Sequence, residues 1–168
     1  MATSRNLCFN LLFAVGIAAA ADAPRTVILV RHAERTAGNA DSITDAGRCR
    51  AEALAKILAD AGVKEIFTSE AARTRQTAAP TAKMLNIEPK VVGASNVTGL
   101  VARLRNPTAK GAALVVGHSN TLPDIIGKLG GGTVPPIADT EFDRLFVMAL
   151  TSTGSNAPVT LHYPGCKQ

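Results

Sequence analysis

The sequence contains no tryptophan, and aromatic residues make up only 4% of its 168 residues. It also lacks blocks of like charge, a basic tail and Gln/Asn-rich tracts. Proteins that bind nucleic acids combine clustered basic residues with aromatic platforms, so these absences argue against nucleic acid as a partner. A hydrophobic fraction of 46% and a charged fraction of 18% are typical of a globular chain with one core.

The formal net charge of +5 is modest. A positive charge of this size favours anionic substrates, and it fits equally well a charge that serves only solubility. Charge alone therefore leaves the partner open.

The first residues of the chain have the pattern of a secretory signal peptide. Met1–Asn10 carries one basic side chain, Arg5, and no acidic one, and Leu11–Ala21 is a short apolar run that ends in alanines. We expect cleavage near Ala21–Ala23. The run is too short to span a bilayer comfortably, so we expect no stable membrane span after cleavage. The prediction is an exported protein, periplasmic or secreted, with residues 24–168 as its domain; an uncleaved anchor or a misassigned start codon is the alternative.

Cysteine usage leaves two thiols in the predicted mature chain. Cys8 lies in the signal peptide, whereas Cys49 and Cys166 remain. In an oxidising compartment the two could form one disulfide, or they could stay unpaired. The sequence leaves this pairing open, because it does not show whether the two residues approach each other.

Apolar and β-branched runs alternate with segments of helical periodicity, and this alternation predicts the fold class. The predicted strands are Thr26–Val30, Glu65–Thr68, Lys90–Val92, Ala113–Val116, Arg144–Leu150 and Pro158–His162. The predicted helices are 45–61, 70–86 with a kink or local break at Pro80, a third helix that Asn96 or Thr98 caps and that runs to about residue 105, and 122–129. Such a chain forms an α/β protein, a three-layer α/β/α sandwich with a mostly parallel sheet and an additional strand pair at the end.

Histidine and arginine side chains follow three of the predicted strands. The first strand runs into Arg31, His32 and Arg35, the second leads to Arg73, and the fourth leads to His118. Ligands of such sheets bind beyond the carboxyl ends of the strands, so we expect these five side chains in one crevice. The planar guanidinium group of arginine donates two hydrogen bonds to the oxygens of one phosphoryl group. A neutral imidazole can attack phosphorus. The set therefore favours phosphoryl transfer.

The order of these motifs resembles the histidine phosphatase (phosphoglycerate mutase-like) superfamily over about residues 26–150. The motifs that carry the resemblance are Arg31-His32-x-x-Arg35, Ile43-Thr44-x-x-Gly47, Thr68-Ser69-x-x-x-Arg73-Thr74-x-Gln76-Thr77-Ala78 and Val116-Gly117-His118-Ser119.

The resemblance implies a phosphoglycerate mutase-like fold and a metal-independent phosphatase. It implies that His32 is the phosphorylated nucleophile, and that Arg31, Arg35, Arg73 and His118 bind the phosphoryl group. No metal and no cofactor are expected, since these side chains supply the positive charge.

The general acid that protonates the leaving oxygen is the point at which the sequence departs from the family. In one branch an aspartate directly follows the second histidine, but Ser119 occupies that position here. Three carboxylates remain as candidates, and the sequence does not choose among them: Glu34, Asp124 and Glu141. Substrates with good leaving groups would need the acid least.

Other functions remain open at this point. A phosphomutase of the same fold would retain its phosphoryl group, and a non-catalytic module would bind a phosphorylated ligand without turnover. A zinc site made of the three histidines is disfavoured, because His32, His118 and His162 lack the spacing of zinc ligands. For an exported enzyme we expect a small phosphorylated substrate, such as a sugar phosphate or an envelope glycan phosphate.

Overall fold

The computed structural model describes residues 24–36, 38, 41–152 and 154–165. Strands and helices alternate from the first strand to the fourth helix. The strands are β1 (Arg25–Arg31), β2 (Val63–Thr68), β3 (Lys90–Val91), β4 (Ala112–Gly117), β5 (Arg144–Thr151), β6 (Gly154–Ser155) and β7 (Val159–His162). The helices are α1 (Asp45–Leu58), α2 (Ala72–Leu85), α3 (Val97–Leu104) and α4 (Thr121–Lys128). The predicted signal peptide lies outside the described residues.

All described strands belong to one sheet with the order β3-β2-β4-β1-β5-β6, and β7 also pairs with β5. β3, β2, β4 and β1 are parallel, whereas β5 is antiparallel to β1 and to the two short strands that follow it. The parallel part arises because a helix connects each strand to the next. The predicted mostly parallel sheet is confirmed, and the strands after β4 are the antiparallel part. β6 was not predicted, because its two residues lie within a segment interpreted as a polar turn.

Helices cover both faces of the sheet and make it the middle of three layers. Val27 and Leu29 of β1 contribute to one hydrophobic cluster, and Ile28 and Val30 contribute to the other. This alternation follows from the two-residue period of a strand. α3 and α4 pack on the first face, and α1 and α2 on the second. Both faces of the central strands are therefore buried, which explains their continuous apolar runs.

The two helices on the second face have well-defined ends. Thr44 caps α1 by accepting a hydrogen bond from the Gly47 N–H at 3.1 Å, as the sequence suggests. α2 runs through Pro80 as one helix, so of the predicted kink or local break, the break does not occur. Asn86 ends α2 in the left-handed conformation, at φ 53°.

Within the described part of the chain, no helix combines the length and the hydropathy that a membrane span requires.

The register of the parallel strands brings their carboxyl ends to one level. Val116 of β4 pairs with Val30 of β1 on one side and with Thr68 of β2 on the other. The residues that follow these positions therefore emerge side by side at one edge of the sheet, where they build the site.

Candidate active site

His32 directly follows β1 and borders a cavity of about 600 Å³. Its backbone N–H donates to the Gly117 carbonyl at 2.9 Å, which continues the β1–β4 pairing. Its ring Nδ1 lies 2.9 Å from the Ala33 carbonyl oxygen. A carbonyl oxygen only accepts hydrogen bonds, so Nδ1 carries the proton and Nε2 carries the lone pair. The backbone of the next residue thus sets the tautomer in which Nε2 is the nucleophilic atom.

The environment of His32 keeps its ring neutral. Burial, which is the largest effect, and the nearby Arg31, His118 and Arg73 together lower the pKa of His32 to about 4, against the opposing effect of the Ala33 carbonyl. The residue is only 3% exposed. At neutral pH the imidazole is therefore uncharged, which is the form that can attack an electrophile.

His118 follows β4 and presents the edge of its ring to His32, with 5.4 Å between the ring centroids. Arg73 Nη2 donates to His118 Nδ1 at 3.3 Å, and His118 Nε2 lies 2.9 Å from Ser69 Oγ. Because arginine can only donate, Nδ1 accepts and Nε2 carries the proton that Ser69 receives. Both ring nitrogens thus have protein partners. A hydrogen bond from His118 to a phosphoryl oxygen stays a prediction, and it requires a second proton on the ring.

The Ser69 hydroxyl is held at the junction between β2 and α2. It accepts from the Ala71 N–H at 3.2 Å and lies 3.0 Å from Thr74 Oγ1. The Thr74 hydroxyl in turn donates to the Ala71 carbonyl at 2.8 Å. With one donor and two acceptor sites per hydroxyl, this pattern leaves Ser69 an acceptor site for His118. The serine of the Thr-Ser motif therefore orients the second histidine.

Arg73 lies in the first turn of α2 and is oriented by Asp41. One Asp41 carboxylate oxygen accepts from Arg73 Nη1 at 2.6 Å, and the other accepts from the Ala72 N–H at 2.6 Å. The N-cap residue, Ala71, has no side chain that could do this, so Asp41 replaces the missing cap. The Ala72 N–H and the Arg73 side chain lower the pKa of Asp41, which keeps it ionised.

Arg31 is buried, and it organises the loop between α4 and β5. Its Nη1 donates to the carbonyls of Ala138, Asp139 and Glu141 at 2.6, 3.1 and 2.9 Å. Its guanidinium carbon lies 4.2 Å from the ring centroid of Phe142. The buried Nε atoms of Arg31 and of Arg73 have no partner among the residues described. Unpaired buried donors beside a cavity are a reason to expect an anion there.

Arg35 borders the same cavity from an exposed position, with Nη1 donating to the Gly38 carbonyl at 2.6 Å. Three arginines and two neutral histidines thus border one cavity, and among the described residues Asp139 is the one carboxylate beside them. The structure brings together all five side chains that the sequence singled out. Their roles in binding and catalysis remain predictions.

The Ile43-Thr44-x-x-Gly47 motif holds the segment that follows the nucleophile. The Thr44 N–H donates to the Glu34 carbonyl at 2.9 Å, and a Cβ at position 47 would lie only 2.4 Å from that oxygen. Glycine is therefore needed for α1 to approach this segment. Gln76 Oε1 of α2 accepts from the Ile43 N–H at 2.9 Å. The motif thus fastens the loop after β1 to both helices of the second face.

None of the three carboxylates considered as general acid borders the cavity. Glu34 forms a two-pronged ion pair with Arg50, with contacts of 2.7 to 3.0 Å, and Asp124 pairs with Lys128 on the exposed side of α4. Glu141 pairs with Arg144 and accepts from the Ala138 N–H.

The sequence reasoning missed the carboxylate that does border the cavity, Asp139, whose side chain is 98% exposed. It lies in an irregular segment with no motif, so no local pattern could have indicated it. Asp41 was missed for the same reason.

His162 and Cys49 do not border the cavity. His162 pairs with Asp143, with 2.9 Å between Nδ1 and the carboxylate. Among the described residues, no group of three or more His, Cys, Asp or Glu side chains is arranged to hold a metal ion. Cys49 is disulfide-bonded, and Cys166, whose pairing with Cys49 the sequence leaves open, lies outside the described residues.

The fold has clear counterparts among solved structures. A candidate phosphohistidine phosphatase, SixA, from Nakamurella multipartitia has 24% identity and a TM-score of 0.60, over 86% of this chain and 99% of that one. A mycobacterial glucosyl-3-phosphoglycerate phosphatase has 14% identity and a TM-score of 0.63, over 83% and 98%. The phosphoglycerate mutase of Plasmodium falciparum has 18% identity and a TM-score of 0.58, over 83% and 90%. These likenesses confirm the predicted phosphoglycerate mutase-like fold.

Sequence comparison points in the same direction. No curated protein sequence matches the chain at a significant level. Residues 27–94 match the profile of the histidine phosphatase superfamily (branch 1), a range that includes the first histidine, the Thr-x-x-Gly element and the second-arginine motif. The second histidine lies beyond this range, and the structure brings it to the same cavity. This profile match supports the resemblance to the histidine phosphatase superfamily that the motifs of the sequence indicate.

Proposed function

We propose that this protein is a metal-independent phosphatase that hydrolyses phosphomonoesters through a phosphohistidine on His32. The observation that carries the proposal is the state of the His32 ring. It is neutral, its Nδ1–H is bound to the Ala33 carbonyl, and its Nε2 lone pair remains for attack beside three arginines. A neutral nucleophile in a positively charged cavity is the combination that phosphoryl transfer needs.

In the first step His32 Nε2 attacks phosphorus, and a P–N bond forms as the bond from phosphorus to the leaving oxygen breaks. Charge spreads over the three other phosphoryl oxygens, where the guanidinium groups of Arg31, Arg35 and Arg73 stabilise it. The leaving oxygen takes up a proton from solvent and departs as the alcohol.

In the second step water attacks the same phosphorus. The P–N bond breaks, inorganic phosphate leaves, and the electron pair returns to His32 Nε2. The proton that water loses passes to solvent or to phosphate, so the ring ends neutral, as it began. Two steps with moderate activation barriers thus replace one displacement with a high barrier.

Protonation of the leaving oxygen takes place at the open side of the cavity. Asp139 is the carboxylate that borders the cavity within the described part of the chain, and it is almost fully exposed. Because weakly basic leaving groups need a proton least, we expect aryl phosphates and other activated phosphates to react faster than alkyl phosphates.

The proposal includes a small substrate, a phosphorylated sugar or an envelope glycan phosphate, and a location outside the cytoplasm. The similar mycobacterial protein is a glucosyl-3-phosphoglycerate phosphatase, which supports the substrate class. The disulfide at Cys49 supports export, because disulfides persist in oxidising compartments. The N-terminal sequence of the secreted or periplasmic protein, determined by mass spectrometry, tests the predicted cleavage near residues 21–23.

Hydrolysis of an aryl phosphate in the presence of EDTA tests the enzymatic proposal. We expect turnover in EDTA, a loss of at least about 10³-fold in His32→Ala, and little change in His162→Ala, a control histidine outside the cavity. Acid-labile phosphate on the intact protein, absent from His32→Ala, would identify the intermediate.

Other results would point to the alternatives. Phosphate or vanadate binding without turnover would favour a binding module, and a stable phosphoprotein that transfers its group to a second alcohol would favour a phosphomutase. The similarity to a phosphoglycerate mutase is one of fold, and it makes the transfer assay a necessary part of the test.

A further inference from the structure

The Thr77 hydroxyl connects α2 to residues 32–36, the segment after β1, hereafter the nucleophile loop. Thr77 is fully buried, and its Oγ1 donates to the Arg73 carbonyl at 2.7 Å. The same oxygen accepts a hydrogen bond from the Ala33 N–H at 2.9 Å. Ala33, which is also fully buried, offers its own carbonyl oxygen to His32 Nδ1. A continuous series of hydrogen bonds therefore runs from the turn of α2 that carries Arg73 to the His32 ring.

The geometry of the hydroxyl makes it specific for this connection. A threonine hydroxyl has one proton and two lone pairs. Here it donates the proton to the Arg73 carbonyl of α2, and one lone pair accepts from the Ala33 N–H. Without an acceptor at this place, the buried Ala33 N–H would remain unpaired, which is costly. The backbone at Ala33 would then change conformation to pair this N–H, and the Ala33 carbonyl would move away from His32 Nδ1.

We propose that Thr77 is a positioning residue for His32, which fixes Ala33 so that its carbonyl keeps the proton on Nδ1 and the lone pair on Nε2. It also fixes the distance between the nucleophile and the arginine on the same helix, since Arg73 lies one turn before Thr77. The kinetic part of this proposal rests on the proposed phosphatase function, whereas the structural part does not.

Thr81 provides a matched control on the same helix. It lies one further turn along α2, it is also fully buried, and its Oγ1 has no hydrogen-bond partner in the described part of the chain. Replacing either threonine by valine removes one buried hydroxyl and keeps the branched shape. Only the change at position 77 removes an acceptor from the nucleophile loop.

The test compares Thr77→Val, Thr77→Ser and Thr81→Val in the full mature protein. The first readout is the tautomer of His32, from long-range ¹⁵N–¹H NMR spectra above pH 7, with His32→Gln used for assignment. We expect a single Nδ1–H tautomer in the unchanged protein, in Thr77→Ser and in Thr81→Val. In Thr77→Val we expect a mixture of the two tautomers.

The second readout is steady-state kinetics with an aryl phosphate. For Thr77→Val we expect kcat to fall by about 10- to 100-fold, because a displaced nucleophile loses its attack geometry. We expect KM to change by no more than about threefold, because the arginines still bind the phosphoryl group. Thr77→Ser should restore most of kcat, and Thr81→Val should leave both parameters unchanged.

The outcomes separate this proposal from the proposed function. If Thr77→Val keeps the single tautomer and full kcat, Thr77 is merely structural and the proposal is overturned, while the phosphatase function stands. If the unchanged protein has no activity but Thr77→Val still mixes the tautomers, the positioning role stands and the function does not. If Thr77→Val fails to fold, Thr77→Cys takes its place, because a thiol is a weak acceptor and should give an intermediate mixture. A Thr77→Cys protein with the single tautomer and full kcat would likewise overturn the proposal.

Discussion

The ionisation of His32 gives the sharpest quantitative prediction. Burial lowers its pKa from the ordinary value of 6.5 to about 4. At pH 5 about nine-tenths of the molecules would then hold a neutral ring, compared with about 3% for an unperturbed histidine. The difference in nucleophilic fraction is therefore about 30-fold, which is far larger than the error of a rate measurement.

The assay is the pH dependence of kcat/KM for an aryl phosphate between pH 3.5 and 8, divided by the fraction of substrate present as the dianion. This parameter reports ionisations of the free enzyme. We expect the rate to stay nearly constant down to pH 5 and to fall by half near pH 4. Burial and Arg73 lower the pKa of His118 as well, so the NMR titration of the His32 ring is needed to assign the acid limb to His32.

The same ionisation affects stability, with a definite sign. The folded protein keeps His32 neutral where the unfolded chain would bind a proton, so its contribution is complete above pH 6.5 and is lost as the pH falls towards 4. The loss amounts to about 3 kcal/mol at pH 4. It is measured as the difference between the free energies of unfolding of the unchanged protein and of His32→Gln, at pH 7 and at pH 4.

An NMR titration of the His32 ring provides a direct check that does not depend on activity. A midpoint near pH 6.5, or a kcat/KM profile with its acid limb there, would falsify the argument that burial keeps the nucleophile neutral. The argument would also be contradicted if the unchanged protein and His32→Gln differed in free energy of unfolding by the same amount at pH 7 and at pH 4.

Three further predictions follow from the ion pairs and from the disulfide. Glu34→Gln should lower the free energy of unfolding by about 2 kcal/mol, because it leaves a largely buried Arg50 without its charged partner, and kcat should not change; a large fall in kcat would instead make Glu34 the general acid. Asp41→Asn should raise KM for phosphomonoesters about three- to tenfold through loss of the fixed Arg73 orientation, and an unchanged KM would contradict that role. Cys49 should resist alkylation until a reductant is added, and mass spectrometry of the unreduced protein would detect immediate labelling if the bond were absent.

Local sequence patterns were sufficient for the fold and for the first residues of the site. Buried parallel strands need continuous apolar runs, and β1 and β4 show them clearly. A parallel sheet places its ligand site at the carboxyl ends of the strands, so the residues after these strands could be identified before any coordinates were known. His32 and His118 were found in this way. The sequence left open whether Pro80 kinks α2 or breaks it, and the helix continues through this residue, because a helix with a buried face can tolerate one missing hydrogen bond.

What only the tertiary structure decided is how these groups are held and which of them share the cavity. Asp41, Asp139 and the carbonyl acceptors of Arg31 lie in irregular segments, where the position of a side chain depends on the path of the loop and not on a periodic pattern. The tautomer of His32 depends on Ala33, and Ala33 depends on a threonine that is distant in sequence. A sequence shows which chemical groups are available at the ends of strands. Their ionisation and orientation follow from burial and from contacts between distant segments, which exist only once the chain has folded.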